Sequence, residues 1–497
     1  MILKSPQTMN LTQRSVSSLF WSILGSQLTA LILFIRTVLL ARLLPVEVFG
    51  IYSLAGAIVY LSIILPSFGL GDAFLHRSPE SEAEEPAAAV HFTLKLLFLL
   101  IWGGLLILLA TAFSAGSLRM ALINLTIAIG GYELTHTARL VLTRRVDHRR
   151  LAVFQVLNAI FTSLLAILLA LRGADLWALL ITDYVTLLLA WGIFFIWQPV
   201  WRLRLDLNPQ KVKYSLTFGS RVLFSNILQS ALDKLDDLWT GAFLGHTQLG
   251  FYSRAYTFAT YPRRLLANPI DEVTRGAYAE ISHSRQQLGQ AFRRSSLLLI
   301  RAGFFLAGWL SLVAPELILL LLGEKWLPML TAFRLMLVYT LLDPLKVTLA
   351  YLFIACGQPE KVIRIRLVQV GLLAVGLLTL GTRLGIAGVA LAVDLMLLVG
   401  IGLFFWQARG LISFSIRELF LAPLLALILA LAAGSLLPVR LGFGSVDWAS
   451  LTVKSLVFTA VFALILYGLE RRLIKVLLRE LASIRPGHSP TQENESV

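Results

Sequence analysis

Charge is in short supply in this chain: only 14% of its 497 residues are Asp, Glu, Lys or Arg. Soluble domains carry about 25%, so the two to four soluble domains that this length would otherwise imply are excluded. Cysteine is scarcer still. Cys356 stands alone, which rules out an internal disulfide framework and a cysteine metal cluster. The seven histidines are scattered and form no His-Glu-x-x-His pair, so a zinc hydrolase of that pattern is out. Also missing are a G-x-x-x-x-G-K-[ST] loop, without which ATP has no phosphate cradle, and a G-x-S-x-G nucleophile elbow. No cofactor or bound metal is expected. Long polar segments are lacking too: no connection between apolar stretches exceeds roughly 25 residues, too short for an inserted soluble domain.

Apolar sequence is what the chain has in excess. It is 57% hydrophobic, with a mean hydropathy of +0.79. A hydrocarbon core of ~30 Å needs about 20 such residues per helix. Fourteen stretches qualify, near 15–39, 48–70, 88–112, 117–138, 151–171, 176–199, 214–237, 248–270, 294–314, 327–355, 362–381, 386–407, 417–438 and 449–469. The seventh is interrupted by Asp233-Lys234-Leu235-Asp236-Asp237. Residues 1–14 are polar and no small-residue cleavage pattern closes the first span, which therefore reads as a retained helix. A polar tail from about Ser483 is expected to be disordered.

The net charge of +15 does not call for nucleic acid, because Lys and Arg collect on the cytoplasmic loops of membrane proteins. Arg139, Arg144, Arg145, Arg149 and Arg150 crowd one connection, and Arg202, Arg204, Lys211 and Lys213 another. Lys361, Arg364 and Arg366 form a third set, and Arg471, Arg472, Lys475 and Arg479 follow the last span. Only an even number of spans with both termini inside puts these sets on one side. The 72–86 loop, with Glu80, Glu82, Glu84 and Glu85, is an acidic misfit on that side, but acidic residues weigh little in the rule.

The spans repeat. Leu44 and Phe49-Gly50-Ile51-Tyr52 return, 200 residues on, as Leu244 and Leu249-Gly250-Phe251-Tyr252. Arg172 and Asp183, followed by Gly192-Ile193-Phe194-Phe195-Ile196-Trp197-Gln198, return 211 on as Arg383 and Asp394, followed by Gly402-Leu403-Phe404-Phe405-Trp406-Gln407. Because six spans separate the copies, both enter with the same orientation, a parallel repeat. The expected fold is an all-α polytopic membrane protein of about 14 transmembrane helices: a six-helix bundle over 1–200, a linker over 201–213, a second bundle over 214–409, a helix pair over 410–470, and a basic, then disordered tail over 471–497. Duplicated bundles of this kind enclose transport cavities.

Embedded polar residues mark where a cargo would sit. At 100° per residue Ser18, Ser22, Ser26, Thr29 and Arg36 share an arc of roughly 80°. Ser225, Gln229, Asp233, Asp236 and Thr240 share another of roughly 80°, with Arg221 at its edge. Each stripe has a plain reading as well: small-residue packing with Arg36 snorkelling, and a solvated helix end at 233–237. Arg254 and Arg301 are further embedded cations, and Arg301 falls about a third of the way into its span. Arg139, Arg263 and Arg264 read as inner-rim residues. Arginines that converge on a cavity suit phosphate or pyrophosphate, since the planar fork gives two parallel charge-assisted hydrogen bonds and stays ionised. Asn226 and Gln229 suit sugar hydroxyls. Asp72, Glu133, Asp233 and Asp236 are candidates for ion coupling or charge balance. Asp183 and Asp394, at matched positions, read as structural, pairing at the interface between the halves.

Leu39-Leu40-Ala41-Arg42-Leu43-Leu44 with Phe49-Gly50-Ile51-Tyr52-Ser53-Leu54-Ala55 resembles the opening of the polysaccharide transporter family, the oligosaccharide-lipid flippases of the multidrug/oligosaccharidyl-lipid/polysaccharide exporter superfamily. Leu232-Asp233-Lys234, Gly241-Ala242-Phe243-Leu244-Gly245, Leu249 to Tyr256, Pro262 and Pro269 resemble it again in the second half. Pro45 stands where that family often has Gly. The resemblance implies two bundles that rock to carry a polyprenyl-pyrophosphate-linked glycan across the bacterial inner membrane. It implies cavity arginines for the pyrophosphate, with Arg36, Arg221, Arg254 and Arg301 as the positions here. Its implied partners are the lipid-linked oligosaccharide, membrane lipids, and a polysaccharide polymerase with other assembly proteins. Three alternatives stand beside it: an ion-coupled drug or metabolite exporter, a membrane glycan polymerase or ligase, and a non-transporting scaffold.

Overall fold

A computed structural model gives the fold. It describes residues 11–76, 84–145, 147–197, 199–262, 278, 280–281, 283–440, 442–443 and 445–483, with side chains from Gly25 to Arg471 apart from His148. Arg263, Arg264, Pro269, Glu80, Glu82 and the tail beyond Ser483 lie outside the described residues, as do the side chains of Ser18 and Ser22.

Every regular element among the described residues is helical. The first half runs through α1 (Leu11–Leu43), α2 (Val46–Ser62), the short α3 (Leu70–His76), α4 (Glu84–Phe113), α5 (Gly116–Glu133), α6 (His136–Arg144), α7 (His148–Leu171) and α8 (Asp175–Trp191). The second runs through α9 (Pro209–Phe243), α10 (His246–Pro262), α11 (Arg285–Leu312), α12 (Leu330–Ala355), α13 (Pro359–Gly376) and α14 (Thr382–Ala408). It is followed by α15 (Ile416–Arg440) and α16 (Trp448–Ser483). Among the described residues ten stretches are long and apolar enough to cross a membrane, and one of these, Pro359–Ala408, covers two of the fourteen expected spans. It is divided at Gly385, whose φ of 59° and ψ of −140° suit only glycine. Three expected spans fall outside these ten: α5, the charge-bearing α9, and α10, which is helical through Pro262, residues 263–270 of that span lying outside the described residues.

Local chemistry sets the helix ends. Asn208 caps α9 by accepting from the amides of Gln210 and Lys211, and Pro209 supplies the pre-set first turn. The two repeats turn the same corner differently: Pro45 precedes α2 in an extended conformation, whereas Gly245 precedes α10 at φ 88°. Each breaks a helix, one by lacking an amide proton and the other by tolerating the left-handed region.

Within the first half α1 packs on α7, α7 on α8, α5 on α8 and α2 on α5. Within the second, α12 packs on α11 and α14, and α13 on α14 and α9. The pair α15–α16 leans on α11. The halves meet where α2 crosses α10 and α9. Small residues make that crossing possible. A β-carbon on Gly50 would collide with the carbonyl of His246, and one on Gly250 with the carbonyl of Val46. The repeat-matched glycines thus make reciprocal backbone contact, as small residues do at intramembrane crossings. Trp326, fully buried, plugs the same end: its ring lies 5.5 Å from Phe49 and 6.0 Å from Phe251. Its indole donates to the Ala41 carbonyl at 2.8 Å. Lys325 donates to the carbonyls of Leu44 at 2.8 Å and Arg42 at 3.0 Å. At 1.5 Å per residue the 35 residues of α9 span about 52 Å, so this closed end lies opposite the basic 201–213 connection.

Candidate functional site

Beneath the closed end, α1 and α10 bring Arg36 and Arg254 towards each other. Each lies within electrostatic reach of Tyr52 and Tyr261, and Arg36 lies within that of Arg254. Arg36 donates one hydrogen bond, to Thr162 Oγ1 on α7 at 3.2 Å. Arg254 lies 4.7 Å above the Phe49 ring, and its Nε is buried without a partner. Neither guanidinium has a carboxylate within ion-pair distance among the described residues; Asp183 and Asp237 exert only longer-range attraction. Two like charges with most of their donors unspent are costly in a low-dielectric setting, and an anion between them removes that cost. Tyr261 bonds Thr37 on α1 at 3.0 Å, so one side chain ties the seam beside both arginines.

Tyr261 also faces an apolar cavity of about 460 Å³ between α1, α10, α11 and α12, walled by Phe34, Phe258, Leu310, Ile318 and Phe333 among others. A cationic pair and an apolar cavity therefore adjoin across one residue.

The aspartates break the repeat's symmetry. Tyr52 donates to Asp183 at 2.8 Å. Its counterpart Tyr252 donates not to Asp394 but to the buried Asp236, at 2.5 Å. Asp394 is left with Oδ1 unpartnered, and Asp183 is held inside its own half rather than across the halves. The cause is in the register. Arg36 and Asp236 are themselves 200 residues apart, so one repeat position carries a cation in α1 and an anion in α9.

The other expected residues scatter. On α9, Arg221 is exposed and Asn226 half-buried, while Gln229 donates to both Asp233 oxygens at 3.0 Å. Gln229 and Asp233 line a polar cavity of about 300 Å³ with Lys346, Arg366 and Gln369, away from the arginine pair. Arg366 donates to Ser225 Oγ at 2.9 Å. Glu133 pairs with the buried Lys95 at 2.8 Å and with Arg139 at 3.5 Å. Asp72 is exposed on α3. Arg301 is not brought to the pair at all: its Nε donates to Glu470 on α16 at 2.7 Å and its Nη1 to the Leu297 carbonyl at 3.0 Å. Sequence reasoning passed over Tyr52, Tyr261 and Thr162. The two tyrosines carried a signal: Tyr52 recurs as Tyr252 in the quoted repeat, and Tyr261 lies two helical turns beyond Arg254.

A multi-pass, all-α membrane scaffold built from two like halves, with a cationic seam between them, is the class that this fold and site define. A profile described as polysaccharide biosynthesis protein matches residues 39–331, more than half of the chain, and the chain belongs to that family. Among curated relatives, the succinoglycan biosynthesis transport protein ExoT of Rhizobium meliloti (strain 1021) is 25% identical over 316 residues, 62% of each chain. The match thus spans just under two thirds of that relative. The lipopolysaccharide biosynthesis protein WzxC of Escherichia coli (strain K12) is 21% identical over 441 residues, 85% of this chain and 87% of that one. A solved structure of the lipid II flippase MurJ, in an inward closed conformation, superposes with a TM-score of 0.71 at 15% identity, covering 93% of this chain and 100% of that one. An inward-facing multidrug transporter of the MATE family follows at 0.57 and 17%, over 77% and 94%. At those identities the likeness is one of fold.

Proposed function

We propose that this protein is a flippase that carries a polyprenyl-pyrophosphate-linked oligosaccharide across the bacterial inner membrane by alternating access, for surface polysaccharide assembly. The observation that carries the reading is the pair Arg36 and Arg254, within electrostatic reach of each other, without a carboxylate at ion-pair distance among the described residues, and adjoining an apolar cavity through Tyr261. A pyrophosphate satisfies both guanidinium forks with charge-assisted hydrogen bonds, and the apolar cavity suits the first units of a prenyl chain. Names of relatives point the same way: succinoglycan transport, lipopolysaccharide biosynthesis and lipid II flipping. The work is movement rather than bond chemistry.

In this reading the bundles 1–200 and 214–409 rock about the α2–α10 crossing, and the contacts of Gly50 with His246 and of Gly250 with Val46 are the closed outer gate. Both termini and the basic connections face the cytoplasm, following the distribution of Lys and Arg. Glu133 balances Lys95 and Arg139. Asp233, in the polar cavity of the second half, is the coupling-ion position. A polysaccharide polymerase would receive the glycan released outside.

The test is genetic. Loss of the protein should empty the surface of its glycan and accumulate the lipid-linked oligosaccharide on the cytoplasmic leaflet. The wild-type chain should reverse both effects, and Arg36→Ala or Arg254→Ala, at equal membrane abundance, should reverse neither. Full rescue by both variants would contradict the arginine assignment. Absence of the accumulated intermediate would contradict the flippase itself.

A further inference from the structure

Arg301 leads to a second site. Its guanidinium, 8% exposed, bonds both oxygens of Glu470. At Glu470 the last helix departs from helical geometry, with φ −126° and ψ 26°. Two turns earlier on α11, Arg293 pairs with Glu418 of α15, its Nε lying 3.0 Å from the carboxylate. These pairs frame a cavity of about 980 Å³ between α11, α15 and α16, whose lining includes Arg417 and Arg471 above Leu421, Leu425 and Leu469.

Charge does not balance there. Among the described residues the lining carries Arg293, Arg417 and Arg471, with Arg301 bonded to it through Glu470, against Glu418 and Glu470: four cations to two anions. Both carboxylates are spent on Arg293 and Arg301. Arg417 and Arg471 are exposed and bond no acid among the described residues; Arg471 only rests on the Tyr467 ring, at 5.9 Å. The floor is the opposite in character: Leu421, Leu425 and Leu469 are 41%, 40% and 55% exposed, on helices whose outer faces carry bare leucines along their length. Consecutive spans alternate in direction, which puts the start of α15 at the same end as the start of α9 and its basic connection. The sequence continues past the kink as Arg472, Lys475 and Arg479.

We propose that this cavity holds the headgroup of an anionic glycerophospholipid from the leaflet at the basic end, with its phosphate between Arg417 and Arg471 and its acyl chains over the leucine floor. Basic pockets between membrane helices take such headgroups, and long arginine side chains reach the interface while their stems stay apolar. A resident lipid fits better than a transported one: the cavity lies on the flank of the second half, away from the seam that a cargo must cross. The Arg301–Glu470 pair then has a positioning role, setting the kink that turns Arg471 towards the headgroup.

The test uses the full chain purified in detergent. Melting temperature and lipid adducts in native mass spectrometry are followed with dioleoylphosphatidylglycerol or dioleoylphosphatidylcholine. The phosphatidylglycerol should raise the melting temperature by several degrees more than phosphatidylcholine and be retained as an adduct. Arg417→Gln with Arg471→Gln, two exposed substitutions, should lose both effects while melting normally in phosphatidylcholine. Arg254→Ala should keep both, which separates this site from the transport site. Equal responses to the two lipids, or a full phosphatidylglycerol response in the double variant, would overturn the proposal. So would displacement of phosphatidylglycerol by equimolar undecaprenyl phosphate, which would give the cavity to the carrier lipid.

Discussion

At the scale of single residues, partnered and unpartnered polar groups separate the structural positions from the transport positions. Arg36 spends one donor on Thr162, and Arg254 spends none on an acid. A lysine keeps the charge but not the fork. Arg254→Lys should therefore lose about 1.5–3 kcal/mol, one charge-assisted hydrogen bond, seen as a flipping rate lower by about 10- to 150-fold. An unchanged rate would mean that only the charge matters. Tyr252 and Asp236 are both buried and bonded to each other. Tyr252→Phe strips the carboxylate of its donor and should cost about 1.5–3 kcal/mol of stability, measured as a lower melting temperature; Tyr252→His or another retained donor at that position should recover part of it. Much of this was legible in the sequence as position and little as partnership. A helical wheel placed Arg36 on a polar stripe, but the 169 residues between Arg301 and Glu470 lie beyond any wheel. Arg301 sat as deep in its span as a cargo ligand would, and the partner that claims it comes from the last helix.

At the scale of elements, the crossing of α2 and α10 is held by what glycine lacks. Gly50 and Gly250 each meet a backbone carbonyl that cannot move aside. Gly50→Ala or Gly250→Ala adds an overpacking cost of about 1–3 kcal/mol that falls only on the state with this end closed. The substitution should thus shift the population towards the open-ended state by about 5- to 150-fold. A cysteine at Thr37, in a Cys356→Ala background, reads it out: alkylation from outside should speed up, and an unchanged rate would contradict the gate. Trp326 closes the same end from the second half. Trp326→Ala removes a fully buried ring and its bond to Ala41, at a cost of about 3–5 kcal/mol, which thermal unfolding would register. The motif Phe-Gly-Ile-Tyr against Leu-Gly-Phe-Tyr announced both glycines; that they press on each other's helix starts needed the fold. Helix ends were legible for the same local reason at Asn208-Pro209. The charged α9 was the hardest to read as a span, because Asp236 and Lys234 find partners in Tyr252 and Asp237 that a hydropathy sum does not see.

At the scale of the whole molecule, a duplicated scaffold carries an unduplicated site. The repeat gives two like halves, yet its 200-residue register sets Arg36 against Asp236 and Arg254 against Leu54. The cationic seam exists only because the halves differ at those positions, so the repeat could locate the seam without giving its charge. Asp183 and Asp394 show the same divergence, one bonded to a tyrosine and the other not. In the proposed function this seam moves a pyrophosphate-linked glycan across a bilayer. The measurement that reaches it most directly is reconstitution of the purified chain in liposomes that carry a fluorescent polyprenyl-pyrophosphate oligosaccharide, following how fast the sugar becomes accessible on the opposite leaflet. The account predicts protein-dependent crossing that Arg36→Ala and Arg254→Ala each reduce at least about tenfold. Crossing at the same rate in empty liposomes, or in liposomes that hold the double arginine variant, would contradict it.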